Sequence, residues 1–380
     1  MTRVPIRVGF CVLKMQVAGA EVLIDRMIQY FGSRIEPSIF CLDATGAIGE
    51  RLQGEGIPVV VLDRKPGIDW ELPKRLATEL DRRKIEILHA HQYTPFFYGA
   101  LAKRQCKSPR PKLFFTEHGR HYPDRVRWKR KIVNRLILSR YADAICACSQ
   151  FSAEAVVKVD GFPYCDVIWN GVPIDLFSPR GTSQEQALLR QKLGLELNRP
   201  IVACVARFHP VKDHATLLKA WAIVVKKHPD AVLLLLGEGE ERGRLEDQLA
   251  QDGIASSVRF MGARKDVPDF LHCVDIFALT SLSEASPLTL LEAMACACPA
   301  VVTDVGGNAE HVTHGVEVFL APRGDYEGIA GHLSRLLSDR DLQRTMGLAG
   351  RRRVETQFSL TDCLERYGKV YERLAGRSLS

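Results

Sequence analysis

Val274-Asp275-Ile276-Phe277-Ala278-Leu279-Thr280 runs into Ser281-Leu282-Ser283-Glu284-Ala285-Ser286-Pro287-Leu288-Thr289-Leu290-Leu291-Glu292. The first seven residues are short, apolar and rich in strand formers, and read as a buried strand. Leu288 to Ala297 reads as a helix, with Ser283 or Ser286 as its cap and Pro287 in its first turn. The strand end thus carries Glu284 to a loop where a new helix opens, with Glu292 eight positions on. A helix start offers unpaired N–H groups to an anion, and carboxylates accept hydrogen bonds from sugar hydroxyls. Together they suit a phosphate flanked by hydroxyl-bearing rings.

Working outward, short apolar runs alternate with helical patterns, which predicts parallel sheets covered by helices. The first half gives strands at Arg7–Leu13, Ser38–Leu42, Val59–Leu62, Ile85–His89, Leu113–Thr116, Ala144–Ala147 and Val167–Trp169. The second half starts again at Ile201–Ala206, then Val232–Leu236, Val258–Met261, Ile276–Leu279 and Ala300–Thr303. Gly181-Thr182-Ser183-Gln184-Glu185 is polar and turn-rich, and reads as a linker. Thr361 to Leu374 reads as a helix with Leu364, Tyr367, Val370, Tyr371 and Leu374 on one face.

The length of 380 residues suits two domains. The N-terminal run Arg7–Leu13 is too short for a secretory signal, and no apolar run is long enough to cross a bilayer. Eleven cysteines without a Cys-x-x-Cys pair argue against a disulfide framework or a zinc site, so a reducing, cytoplasmic setting is expected. Between Arg120 and Arg140 eight Lys/Arg face one Asp, a surplus of seven that equals the net charge of +7. Trp128, Ile132, Val133, Leu136 and Ile137 recur there at helical spacing. Either this basic amphipathic helix meets an anionic membrane surface, or its apolar stripe packs on the core and only the outer face is basic. Nucleic acid is not expected, since no binding module accompanies the patch.

The run Glu284–Glu292, followed by Ala293-Met294-Ala295-Cys296-Ala297-Cys298-Pro299 and Thr303-Asp304-Val305-Gly306-Gly307-Asn308-Ala309-Glu310, resembles the donor signature of retaining GT-B glycosyltransferases, the group 1 or family four class. The resemblance implies an α/β fold of two doubly wound Rossmann-like domains facing a central cleft. The final helix would cross back to the first domain. Residues 1–180 would form an acceptor-binding domain, 181–198 a linker, 199–358 a domain for the nucleotide-sugar donor, and 359–380 the returning helix. Arg207 and Lys212, in Val205-Ala206-Arg207-Phe208-His209-Pro210-Val211-Lys212-Asp213, match the pair that grips the donor diphosphate. Glu292 would hold the ribose hydroxyls and Glu284 those of the sugar. Backbone N–H groups at Ser286, Leu288 and Thr289 would complete a phosphate cradle, and Arg264 would meet the base. In the first domain Thr116-Glu117-His118-Gly119 places His118 near sugar and acceptor, for a hydrogen bond rather than proton transfer. Val17-Ala18-Gly19-Ala20-Glu21 resembles a Gly-Gly-x-Glu loop of which Gly19 survives. His89 and His91 read mainly as structural, with His91 a possible acceptor contact.

Relatives often carry Gly-Phe-Gly where this chain has Ala285-Ser286-Pro287, which stiffens the loop and leaves the sugar open. Neither metal nor cofactor is expected, because the cationic pair and the helix start take the neutralising role. UDP is the commonest donor nucleotide of the family, and a glycan or lipid-linked hydroxyl is the expected acceptor, reached from the inner face of the membrane. Two other readings compete. One is a dinucleotide-dependent oxidoreductase, weakened because the third glycine of Gly237-Glu238-Gly239-Glu240-Glu241-Arg242-Gly243 falls one place late. The other is a non-catalytic partner subunit with a degenerate site. Asp339-Arg340-Asp341 reads as a helix cap rather than a metal-binding pair.

Overall fold

The computed structural model describes residues 4–119, 127–179 and 181–379, without the side chain of Ser183. Residues 1–169 and 363–380 form one compact unit, and residues 170–362 another. In the first, β1 (Ile6–Lys14), β2 (Ile35–Ala44), β3 (Val59–Val61), β4 (Ile87–His91), β5 (Lys112–Glu117), β6 (Ala144–Ala147) and β7 (Asp166–Val167) form a sheet in the order β3-β2-β1-β4-β5-β6-β7. In the second, β8 (Ile201–Val205), β9 (Val232–Leu236), β10 (Val258–Gly262), β11 (Ile276–Leu279), β12 (Ala300–Thr303) and β13 (Val318–Ala321) follow the order β10-β9-β8-β11-β12-β13. The pairings are parallel.

Central strands are buried on both faces, which is why they read as unbroken apolar runs: all five residues of Val232–Leu236 are buried. In each sheet the chain reverses its winding between two neighbours, β1 and β4 in one, β8 and β11 in the other. Ligands of doubly wound sheets bind beyond the carboxyl ends of such a pair.

Three expectations change. A thirteenth strand, β13, borders β12, with Val301 opposite Phe319. The segment read as a linker carries a helix, Ser183–Lys192, closed by a capping box between Thr182 and Glu185. Its Arg190 is buried and bonds Cys273 O and Asp275, which ties the segment to the second unit. The helix after Pro287 ends at Ala295 rather than Ala297, where the backbone turns left-handed (φ 54°).

The last helix, Leu360–Ala375, packs most of its length in the first unit. Tyr367 and Tyr371 are fully buried there, and the Tyr371 hydroxyl lies 2.7 Å from His89 Nδ1. Where the chain passes between units, Val172 and Ser359 form a parallel bridge. Gly171 lies so close that an added Cβ would stand 2.3 Å from Ser359 O.

Of the basic segment, residues 120–126 lie outside the described residues. The remainder forms a helix, Trp128–Leu136, in which Asn134 is the buried residue. Its amide donates to Asp160 O (2.9 Å) and accepts from the Tyr93 hydroxyl (2.7 Å). Arg130 stacks 3.3 Å from the Tyr93 ring centroid and pairs with Asp160 at 3.1 Å. The polar side faces inward. Trp128, Ile132, Val133, Leu136 and Ile137 are exposed, so the core-packed alternative does not hold.

Candidate functional site

β8 ends at Val205, and the chain turns through Arg207, the buried Phe208 and a short 3₁₀ turn, Pro210–Lys212. Asp213 takes a left-handed conformation (φ 46°) and caps the helix His214–Lys227, accepting from Thr216 N and Thr216 Oγ1. That reversal returns Lys212 toward the neighbouring strand. The loop after β11 is stitched to it: Leu282 N donates to Val211 O (2.7 Å) and Thr280 Oγ1 to Asp213 O (2.9 Å).

As a result Lys212 Nζ lies 2.6 Å from Glu284 Oε1, and Ser281 Oγ donates to the same oxygen at 2.5 Å. Glu284 is 8 % exposed, and among the described residues its other carboxylate oxygen has no hydrogen bond. A carboxylate with one oxygen anchored and one open is arranged to accept from a ligand hydroxyl.

The Gly306-Gly307 loop holds the backbone of Glu284. Gly307 N donates to Glu284 O (2.9 Å), and a Cβ on Gly306 (φ 53°) would stand 2.0 Å from that oxygen. Thr303 Oγ1 donates to Ser281 O (2.6 Å), and Asn308 Nδ2 to Thr303 O (2.8 Å). The signature glycines therefore permit a close approach that sets the acid's position.

Pro287, not Ser283 or Ser286, is the cap residue of the helix Leu288–Ala295, and no side chain caps it. The Ser286 hydroxyl pairs instead with His311 Nε2 at 3.0 Å. Among the described residues the N–H groups of Leu288 and Thr289 have no partner, as an anion site needs. Glu292 follows Leu288 and Thr289 by four and three residues, so it shares their face. Burial pushes its carboxyl up to about 7, and among the described residues it makes no side-chain hydrogen bond.

Arg207 is exposed at the end of β8. Arg264, after β10, donates to both oxygens of Asp266 (2.8 and 2.6 Å), with its guanidinium 5.0 Å from the centre of the Phe270 ring. Gly237 and Gly239 serve packing: a Cβ on either would stand 2.0 Å from Ala206 O or 2.3 Å from Phe208 O. Asp339 caps a helix by accepting from Leu342 N (2.8 Å).

In the first unit Gly19 opens the helix Gly19–Phe31 beyond β1, exposed and without a side-chain cap. His118 follows β5, with Nε2 2.7 Å from His91 Nδ1 and the two rings stacked. Burial pushes His118 down to about 4 and His91 well below its ordinary value, so both rings are neutral at pH 7. A neutral ring can donate or accept a hydrogen bond but carries no charge. His89 is tied to Tyr371 and to Thr116 Oγ1 (2.7 Å each), a structural position. The sequence marks neither Ser281 nor His311: a serine three residues before Glu284 is an ordinary loop residue, and the His311–Ser286 bond joins segments 25 residues apart. Among the described residues no group of three or more His, Cys, Asp or Glu is placed to hold a metal ion. No described helix is long and apolar enough to cross a membrane.

Two family models match the chain: "Glycosyltransferase Family 4" over residues 17–176 and "Glycosyl transferases group 1" over residues 185–353. A GDP-mannose-dependent monoacylated α-(1-6)-phosphatidylinositol monomannoside mannosyltransferase of Corynebacterium glutamicum is 30% identical, over 72% of this chain and 75% of its own. The N-acetyl-α-D-glucosaminyl L-malate synthase of Bacillus anthracis is 29% identical, over 80% and 79%. The crystal structure of Anabaena HepE with UDP and glucose superposes with a TM-score of 0.83 at 23% identity, covering 96% of this chain and 99% of that one.

Proposed function

Because this chain belongs to the group 1 glycosyltransferases, we propose that it moves a sugar from a nucleoside diphosphate, UDP first among candidates, to a hydroxyl of a lipid-linked or growing glycan, retaining the anomeric configuration. The observation that carries the reading is the 2.6 Å contact between Lys212 and Glu284, which joins the ends of β8 and β11 where the second sheet reverses its winding. A cation and a carboxylate therefore meet where a doubly wound sheet takes its ligand.

In the proposed reaction the bond from the sugar's anomeric carbon to the diphosphate oxygen breaks, and its electron pair stays on that oxygen. The acceptor oxygen bonds the carbon from the same face, and its proton passes to the departing phosphate. Charge grows on the diphosphate as it leaves, so fixed positive groups bind it more tightly in the transition state than before. Arg207 contributes a planar fork and Lys212 a point charge with donors enough to serve both phosphate and Glu284. The open N–H groups of Leu288 and Thr289 add the positive end of their helix. No metal ion has a part in this scheme. Glu292 takes the ribose hydroxyls, Glu284 those of the sugar, Arg264 faces the base, and His118 holds a hydroxyl through its neutral ring.

The acceptor follows from the exposed stripe Trp128–Ile137. An apolar face beside Arg127, Lys129, Arg135 and Arg140 suits the boundary of an anionic membrane. The relative from C. glutamicum acts on a lipid and the one from B. anthracis forms a malate conjugate; the stripe favours the lipid. The protein would then sit peripherally at the inner face.

Thermal unfolding with UDP, GDP, ADP and NAD tests the donor reading. Stabilisation by UDP supports it, and stabilisation by GDP alone transfers it to another base. A response to NAD alone would point to an oxidoreductase, and no response at all to a non-catalytic subunit.

A further inference from the structure

His311 lies fully buried at the end of the short helix Asn308–His311. Its Nδ1 stands 2.6 Å from Gly307 O, its Nε2 3.0 Å from Ser286 Oγ, and its ring stacks on Phe358. Arg353 Nε donates to its backbone carbonyl at 2.6 Å. A carbonyl only accepts, so Nδ1 carries the ring's hydrogen and Nε2 of the neutral ring is a bare lone pair. Burial, which pushes the His311 ring below its ordinary value, favours that neutral form. The Ser286 hydroxyl must therefore donate to Nε2. Its proton is taken, and only lone pairs are left for a ligand.

We propose that Ser286 reads the donor as a hydrogen-bond acceptor alone, accepting a hydrogen bond from a sugar hydroxyl and turning away from phosphate oxygens. The inference rests on the nucleotide-sugar reading and adds a specificity residue to it. Ser286 is half-buried, two positions after Glu284, whose open oxygen is likewise an acceptor. Two acceptors within Glu284-Ala285-Ser286 match a ligand edge that donates, which a sugar does and a diphosphate does not. The anion is left to the helix N–H groups and the cations. His311 is a positioning residue: it acts through Ser286 by fixing where that proton points.

Deoxyfluoro sugars test this, because fluorine replaces a hydroxyl but donates nothing. Calorimetric affinities are compared for UDP-glucose, UDP-N-acetylglucosamine and GDP-mannose and their deoxyfluoro forms, with wild type, Ser286→Ala and His311→Phe. The phenylalanine keeps a ring against Phe358 but offers no acceptor. At one sugar position, fluorine should weaken wild type about tenfold, the worth of one well-placed hydrogen bond, and weaken Ser286→Ala little further. His311→Phe frees the serine proton, so the same fluorine should cost less than in wild type, while affinity for UDP or GDP alone stays within twofold. Equal fluorine penalties in all three proteins, with nucleotide binding intact, overturn the role of Ser286 and leave the donor reading standing. A protein that binds none of the nucleotides fails that reading and this inference with it.

Discussion

Lys212 and Glu284, 72 residues apart in sequence, share a 2.6 Å hydrogen-bonded ion pair that closes the ends of two adjacent strands. Removing the lysine deletes the cation proposed to bind the phosphate and leaves the buried Glu284 carboxylate with Ser281 alone. Lys212→Ala should lower kcat by about 10²–10³-fold, the usual loss when one charge-stabilising donor is removed. It should also destabilise the fold by about 1–3 kcal/mol. Lys212→Arg should recover part of each. Turnover assays and chemical denaturation measure the two effects, and an unchanged kcat in the alanine variant would remove Lys212 from the machinery.

Glu292 gives a pH signature whose sign is set by its burial. Its carboxyl titrates near 7 in the folded chain against an ordinary 4.5, so the folded state holds a proton that the unfolded state releases between those values. The stability it contributes is complete below pH 4.5 and lost as pH rises to 7. Ribose hydroxyls favour the ionised form, so nucleotide binding should expel a proton from Glu292 below pH 7. Calorimetry in buffers of different ionisation enthalpy should show more proton release for wild type than for Glu292→Gln; equal release would refute the ribose contact.

Gly306→Ala should displace the acid at the site. The residue has φ 53° and its new methyl would meet Glu284 O at 2.0 Å, so both backbone strain and collision oppose it. A loss of about 1–3 kcal/mol in stability and a raised KM for the nucleotide sugar are expected. A variant with native melting temperature and KM would show that the loop does not hold Glu284.

The exposed stripe predicts binding to anionic vesicles that weakens with salt and fails when Trp128 and Ile132 become serine. Each basic residue near such a surface contributes about 1 kcal/mol, so Lys129→Gln and Arg135→Gln together should reduce affinity by about 30-fold. Co-sedimentation with vesicles containing phosphatidylglycerol measures this. Binding that survives the serine and glutamine changes would sink the membrane assignment.

Much of the architecture was legible because parallel strands buried on both faces leave apolar runs: Val232–Leu236, Ile276–Leu279 and Ala300–Thr303 match their strands end to end. β13 escaped because four residues at a sheet edge, closely preceded by Glu317, carry too little periodicity. At the site, Glu284 and Glu292 could be read from spacing, since the strand-to-helix turn is local. His311, which pairs with Ser286, and the approach of Gly306 to Glu284 O depend on contacts between segments more than twenty residues apart, whereas Ser281 bonds Glu284 within one turn of chain but carries no spacing that marks it. The basic helix shows a further limit: its apolar period was plain, yet which side faces inward was decided by Tyr93 and Asp160, which give Asn134 and Arg130 their partners.

The passage of residues 363–380 back into the first unit bears on how the chain matures during translation. Tyr367, Tyr371 and Arg377, which pairs with Glu86, leave the ribosome only after the entire second unit has been made. Until then the first sheet waits with one flank uncovered, open to chaperones and proteases. A released chain truncated after residue 362 should have a protease-resistant second unit while its first unit is still cleaved.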